Sequence, residues 1–179
     1  EIQNRYRSNI QYFIYKSIIL RNLYGVDIMH EATEIAKLRL FLKMVAVVEV
    51  DRRAPNLGLD PLPDIDFNIR SGNTLVGYAT EDEIVAGLGA DLFTQQEFRE
   101  RVETEMQKVS KAYDIFRTQQ LADHDDLESV KTAKIELKER LTRLTNLLDR
   151  QLFSATGGTS FEAWEKTHQP FHWIAEYYQ

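Results

Sequence analysis

Cysteine is absent from the 179 residues, which excludes disulfides and Cys-based zinc sites and makes a reducing cytoplasm the expected compartment. Proline is sparse, at four residues with no two adjacent. Glycine occurs eight times, never spaced as G-x-G-x-x-G, and Gly87 and Gly89 do not lie between a strand and a helix as that dinucleotide fingerprint requires. No apolar run approaches the roughly 20 residues needed to span a bilayer, and no signal-peptide layout opens the chain, so no membrane partner is expected. Positive charge is in deficit: 22 Lys and Arg stand against 28 Asp and Glu, a net charge of -6. That balance argues against this piece being a main surface for neutralising nucleic-acid phosphates. The four histidines are scattered, and no Ser-His-Asp arrangement can be argued from them.

What is present suffices for a core. Apolar residues make up 43% of a length that suits one domain, or a domain with an appendage. The sequence begins at Glu1 inside what reads as a helix, with no initiator Met, which predicts a fragment. Over residues 1–20, Tyr6, Ile10, Phe13, Ile14 and Ile18 recur at helical spacing and predict one buried face. Leu23, Val26 and Ile28 continue as a strand, with Gly25 marking close approach of another backbone. The stretch from His30 to Val50 predicts a helix apolar on more than one face and buried on most sides, with Glu31 and Glu34 in its first turn. Asp51–Ile65 holds three of the prolines and reads as a loop; Phe67, Ile69 and the stretch Thr74 to Val76 are expected to resume extended structure. Thr80–Ala86 predicts a short helix closed by Gly87 and Gly89.

From about Thr94 the pattern is helical throughout. Phe98, Val102, Met106, Val109, Tyr113 and Phe116 form one stripe. After the polar break Asp123-His124-Asp125-Asp126, Leu127, Val130, Lys134, Leu137, Leu141, Leu144 and Leu148 form a heptad seam of coiled-coil type. Together they predict an antiparallel helical hairpin. Lys134 either sets register within that seam or snorkels from its edge. The break with His124 reads as helix ends more readily than as a metal cluster. His168 and His172 stand four apart, but Pro170 between them argues against a shared helix face for zinc. No metal site is expected. Thr159 and Glu162 predict a capping box for a last short helix through Trp164.

The candidate site is the strand–helix–strand unit. Asp27, at the tip of the first strand, suits the cis-diol of a ribose, in a dinucleotide or in S-adenosylmethionine; the alternative is an N-cap for the next helix. Asn73, after Gly72 at the end of the second strand, suits an adenine edge; the alternative is ordinary turn chemistry. In a right-handed βαβ unit both tips share one sheet edge, so the two residues are expected to line one crevice.

These segments, LYGVDI, EIAKLRLFLKMV and LPDIDFNIRSGNTLVGY, together with the tail HQPFHWIAEYY, resemble the large restriction-modification DNA adenine-N6 methyltransferases of type IIG and related phage-defence systems. The likeness covers roughly residues 10–80 and 160–179; the intervening hairpin matches only in being helical. The resemblance implies an α/β, mainly helical chain: a partial Rossmann-like methyltransferase βαβ unit with a long antiparallel helical hairpin insertion. It assigns Asp27 to the cofactor ribose, Ile28 to packing on adenine and Asn73 to the adenine amino group. It tips the choice of cofactor from NAD to S-adenosylmethionine. Where the family often carries Asp-Pro after the acid, Met29 and His30 stand here. The glycine-rich first motif would precede this chain and Asn-Pro-Pro-Tyr would follow it, so no catalytic residue is expected within it and the isolated chain is expected to be inactive. DNA would be met through parts of the parent outside the chain. The implied organisation is a partial cofactor-binding core over 1–93, the hairpin over 94–153, and a connecting loop and short helix over 154–179. A second reading makes the hairpin an interaction module joining the methylase to a recognition region or partner protein. Without a first strand beside it, the edge at 22–28 predicts self-association through that strand or the hairpin.

Overall fold

The structure is a computed structural model describing residues 9–53, 55–86, 92–121 and 127–177. Tyr6, Gly87, Gly89 and the break Asp123-His124-Asp125-Asp126 lie outside the described residues. The elements run α1 (Ile10–Asn22), β1 (Gly25–Asp27), α2 (His30–Val45), a 3-10 turn at Pro55–Gly58, β2 (Ile69–Ser71), α3 (Glu81–Ala86), α4 (Leu92–Leu121), α5 (Leu127–Ser154), α6 (Phe161–His168) and α7 (Trp173–Glu176). The chain is therefore mainly helical, with one small α/β element. Its described residues form two compact units, one within 1–71 and 120–125, the other within 72–119 and 126–177.

In the first unit β1 and β2 pair in parallel, Gly25 with Ile69, Val26 with Arg70 and Asp27 with Ser71. A parallel pair needs a crossover, and α2 supplies it, packing on both strands and on α1. Tyr12, Ile19, Leu20, Met44 and Ile65 form the core, with Leu23, Leu40, Phe41, Val47, Val48 and Leu121 around it. A Cβ at Gly25 would stand 3.3 Å from Ile69 Cδ1, so the close neighbour there is a side chain and not a backbone.

Two faces depart from the sequence pattern. α1 buries Tyr12, Lys16, Ile19 and Leu20, whereas Ile14 and Ile18 of the expected stripe are each 45% exposed. Apolar residues surround this helix on all sides, so periodicity could not select the inner one. α2 ends at Val45, not Val50, and is not buried on most sides. Only Thr33 and Met44 are fully buried, while Ile35, Leu38, Leu42 and Val45 are all more than half exposed. Among the described residues of this unit, α2 has the strands and α1 on one side and no second layer on the other.

Side-chain amides tie the unit together. Asn68 is buried, and its Nδ2 donates to the carbonyls of Ile19, Leu20 and Leu23 at 3.1, 3.4 and 3.2 Å, which caps the C-terminal turn of α1. Its own carbonyl accepts from Gly25 N at 2.9 Å, starting the ladder. Gln120 binds the backbone of Asp64 in both directions, accepting from its N–H at 2.6 Å and donating to its carbonyl at 3.1 Å. Lys37 on α2 reaches both Glu34 and Asp66, at 2.7 and 2.8 Å.

The second unit begins with the loop 72–80, in which Thr74 to Val76 are turn and bend, not the expected extended structure. α3 opens on a reciprocal cap: Glu83 N donates to Thr80 Oγ1, and Ala79 N donates to Glu83 Oε2 at 2.6 Å. On α4, Val102, Met106, Val109, Ala112, Tyr113 and Phe116 are buried; on α5, Ala133, Leu137, Leu141, Leu144 and Leu148 are buried. The middle of each expected stripe is buried, whereas Phe98, Val130 and Lys134 are half-buried, Ala133 is buried beside Lys134, and the Leu127 side chain lies outside the described residues. Arg101 and Glu105 share a groove with Arg143, Asn146, Leu147 and Arg150. The groove residues lie in the halves of α4 and α5 remote from Leu121 and Leu127, as an antiparallel pair places them. α5 also packs against α6 and α7. The cap of α6 is Ser160, whose hydroxyl accepts from Ala163 N at 3.3 Å, one residue beyond the Thr159 expected from sequence.

Candidate cofactor-binding site

Because the strands are parallel, both run out at one sheet edge, and Asp27 is the last residue of β1 there, beside Ser71. Asp27 is exposed, and its Oδ1 accepts from Met29 N at 2.8 Å, fixing the entry into α2. Asp27 is not the N-cap itself: that place falls to Met29, whose side chain makes no capping bond, and Asp27 holds the Met29 N–H from two residues before it. One oxygen serves the helix start, while Oδ2 has no partner among the described residues. Ile28 and Met29 follow, 56% and 58% exposed. Such exposure is costly for apolar side chains unless something apolar lies on them. The tip thus offers a carboxylate acceptor followed by two exposed apolar side chains.

Asn73 belongs to the second unit. Its Oδ1 accepts from Leu75 N at 3.1 Å, the turn chemistry that its sequence context allowed, and Nδ2 has no partner among the described residues. The backbone around it is fixed by the chain's C-terminal segment. Asn73 bridges in parallel to Pro170, Asn73 N donates to Gln169 O at 2.7 Å, and Phe171 N donates to Val76 O at 2.8 Å. Gly72 and Gly77 permit this approach. A Cβ on Gly72 would stand 2.9 Å from the Phe171 ring, and one on Gly77 would overlap the Phe171 carbonyl. Gly77 also has φ 151, a conformation that L side chains rarely adopt.

A buried linkage absent from the sequence reading supports this loop. His172 is 1% exposed. Its Nδ1 accepts from Tyr78 N at 3.0 Å, its Nε2 lies 2.9 Å from Asp149 Oδ1, and its ring stacks on Tyr78 at 5.3 Å between centroids. Since a backbone N–H must donate, Nδ1 carries no proton, and Nε2–H donates to Asp149. His168 belongs to a different element: it ends α6, with Nδ1 2.9 Å from Trp164 O, and Gln169 turns left-handed after it. The two histidines are not on one helix face. No local signal could have revealed His172, because its partners lie 23 and 94 residues away.

The profile of the Eco57I restriction-modification methylases matches residues 21–176, nearly all of the chain and both of its units. The chain belongs to that family. Within 72 residues, 38% of this chain, it is 50% identical to a Methanocaldococcus jannaschii protein named "Putative type II restriction enzyme and methyltransferase". That stretch is 6% of the length of the archaeal protein. No solved structure matches. As an Eco57I-family methylase segment, the chain carries Asp27, Ile28 and Asn73 all inside the matched region.

Proposed function

We propose that this chain is the part of a DNA adenine-N6 methyltransferase, in a restriction-modification or phage-defence system, that forms the ribose and adenine side of an S-adenosylmethionine pocket. The carrying observation is Asp27: a carboxylate at the shared tip of two parallel strands, with Oδ2 uncommitted and an exposed Ile28 beside it. A charged acceptor of this kind suits the two hydroxyls of a ribose. Ile28 would lie on adenine, and the Asn73 amide would donate at the adenine edge. When bound, the cofactor supplies an activated methyl group. The residues here hold its nucleoside, and transfer to the base depends on parts of the parent beyond this chain. Residues 1–93 would act as the cofactor-binding core, 94–153 as a helical insertion and 154–179 as the connection onward. The partial Rossmann-like character of the fold belongs to this proposal, and the β1–α2–β2 unit supports it.

The test uses the full-length protein. Asp27→Ala removes a charged hydrogen-bond acceptor worth about 1.5–3 kcal/mol, so the Kd for S-adenosylmethionine should rise by about 10- to 100-fold. Nucleoside analysis of DNA methylated by the wild type should yield N6-methyladenine. Unchanged cofactor affinity in the variant would remove Asp27 from the pocket, and methylated cytosine would overturn the base assignment.

A further inference from the structure

The groove between α4 and α5 is a cationic concavity. It measures about 350 Å3 and is lined by Arg101, Glu105, Arg143, Asn146, Leu147 and Arg150. None of the three arginines has a carboxylate partner among the described residues. Other cations on these helices do: Arg117 pairs with Asp114, Lys131 with Glu128 and Arg140 with Glu136. The single acid in the groove, Glu105, is already matched by Lys108 at 2.7 Å.

Two features make this more than a solvated helix face. Arg143 and Arg150 stand seven residues apart, which keeps both on one side of α5 about 10 Å from each other, with Asn146 as a neutral donor and acceptor between them. Arg150 is also held in place: its guanidinium lies 4.7 Å from the Phe161 ring centroid, inside cation–π range, and Phe161 is packed against Phe153 and Trp164. A guanidinium held against a ring still carries its N–H fork, and that fork fits phosphate oxygens.

We infer that this groove binds the phosphate backbone of double-stranded DNA, so that the hairpin is a DNA-contacting arm of the methylase. The inference rests on the proposal that the parent's substrate is DNA. The site carries positive charge within a chain whose net charge is -6. Local charge, not the total, sets how many counterions a contact displaces. Phosphate contacts position a duplex without reading its sequence, so the arm supplies register and affinity, not target choice.

The test measures binding of a fluorescent DNA duplex by the 179-residue chain through anisotropy, between 50 and 200 mM salt. Each phosphate contact contributes about 0.9 to the slope of log K against log salt, so the triple variant R101Q/R143Q/R150Q should flatten the slope by about 2 to 3 and weaken binding at least tenfold at 50 mM. Glu105→Gln, which removes the only acid in the groove, should tighten binding; its effect has the opposite sign and does not depend on whether the triple variant folds. Arg117→Gln, outside the groove, should leave the slope unchanged. No binding by the wild type, or equal slopes in wild type and triple variant, would overturn the inference. So would capture of an acidic peptide in preference to DNA by the same arginines. Cofactor affinity in Asp27→Ala reads the methyltransferase proposal separately, so either can fail alone.

Discussion

Asn68 shows how a single side chain can hold two elements. Its amide nitrogen faces three carbonyls at the end of α1 while its backbone starts β2. Asn68→Asp would set carboxylate oxygens against those carbonyls, and Asn68→Ala would leave them without that donor in a buried place. We expect Asn68→Ala to lower unfolding free energy by about 1–3 kcal/mol in urea titrations, and Asn68→Asp to lower it further. Asp149 and His172 provide a graded comparison. Asp149→Asn keeps an acceptor for Nε2–H and should be mild, whereas Asp149→Leu leaves a buried donor unpaired and should cost about 1–3 kcal/mol. Nitrogen NMR of His172 should show a proton on Nε2 and none on Nδ1. Lys16 gives a pH signature. Burial in the core of the first unit pulls its ammonium down to about 8 from 10.5, against the opposing pull of Asp60. The folded state therefore releases this proton at lower pH than the unfolded chain. Between about pH 8 and 10.5 the unfolded state binds more protons, so stability rises with pH in that window, by at most about 3 kcal/mol. Below pH 8 both states are charged and the contribution is flat. Lys16→Met should abolish the rise, which urea unfolding at successive pH values would reveal.

At the level of elements, α1 and α2 show what a pattern of apolar residues can and cannot specify. That α2 is the crossover between two parallel strands was legible, because an acid-tipped strand, a long apolar helix and a second strand follow one another. Which faces are covered was not. α1 is apolar all round, and its buried side includes a lysine. α2 carries Ile35, Leu38, Leu42 and Val45 as an exposed stripe at spacings of three and four. The self-association proposed for this chain thus has a route beyond the 22–28 edge and the hairpin. Sedimentation at rising concentration should show association of the wild type, and Leu38→Glu with Leu42→Glu should diminish it without loss of helix by circular dichroism. The hairpin was legible for the opposite reason. Its buried apolar residues form one stripe on each helix, with Ile115 and Ile135 exposed outside them, and that periodicity identified Val102 to Phe116 and Leu137 to Leu148 as inward.

Across the molecule, the residues proposed to meet a cofactor were readable, while the contacts that fix them were not. Asp27 and Asn73 announce themselves by position after strands. Asn68, Gln120, Asp149 and His172 make their bonds to groups far along the chain, and no window of sequence contains both partners. The same long reach has an evolutionary consequence. The segment 72–78 is laid against 169–174 so closely that Gly77 admits no side chain, and the whole hairpin is encoded between them. Two relatives recombined once between residues 79 and 168 would inherit the halves of this contact from different parents. Such chimeras should fail wherever the parents differ at the fit of Phe171 and His172, while exchanges of the hairpin interior, with both flanks and Asp149 retained, should survive. The hairpin is therefore positioned to diversify as a cassette, free to change its partner while the loop it interrupts is inherited intact.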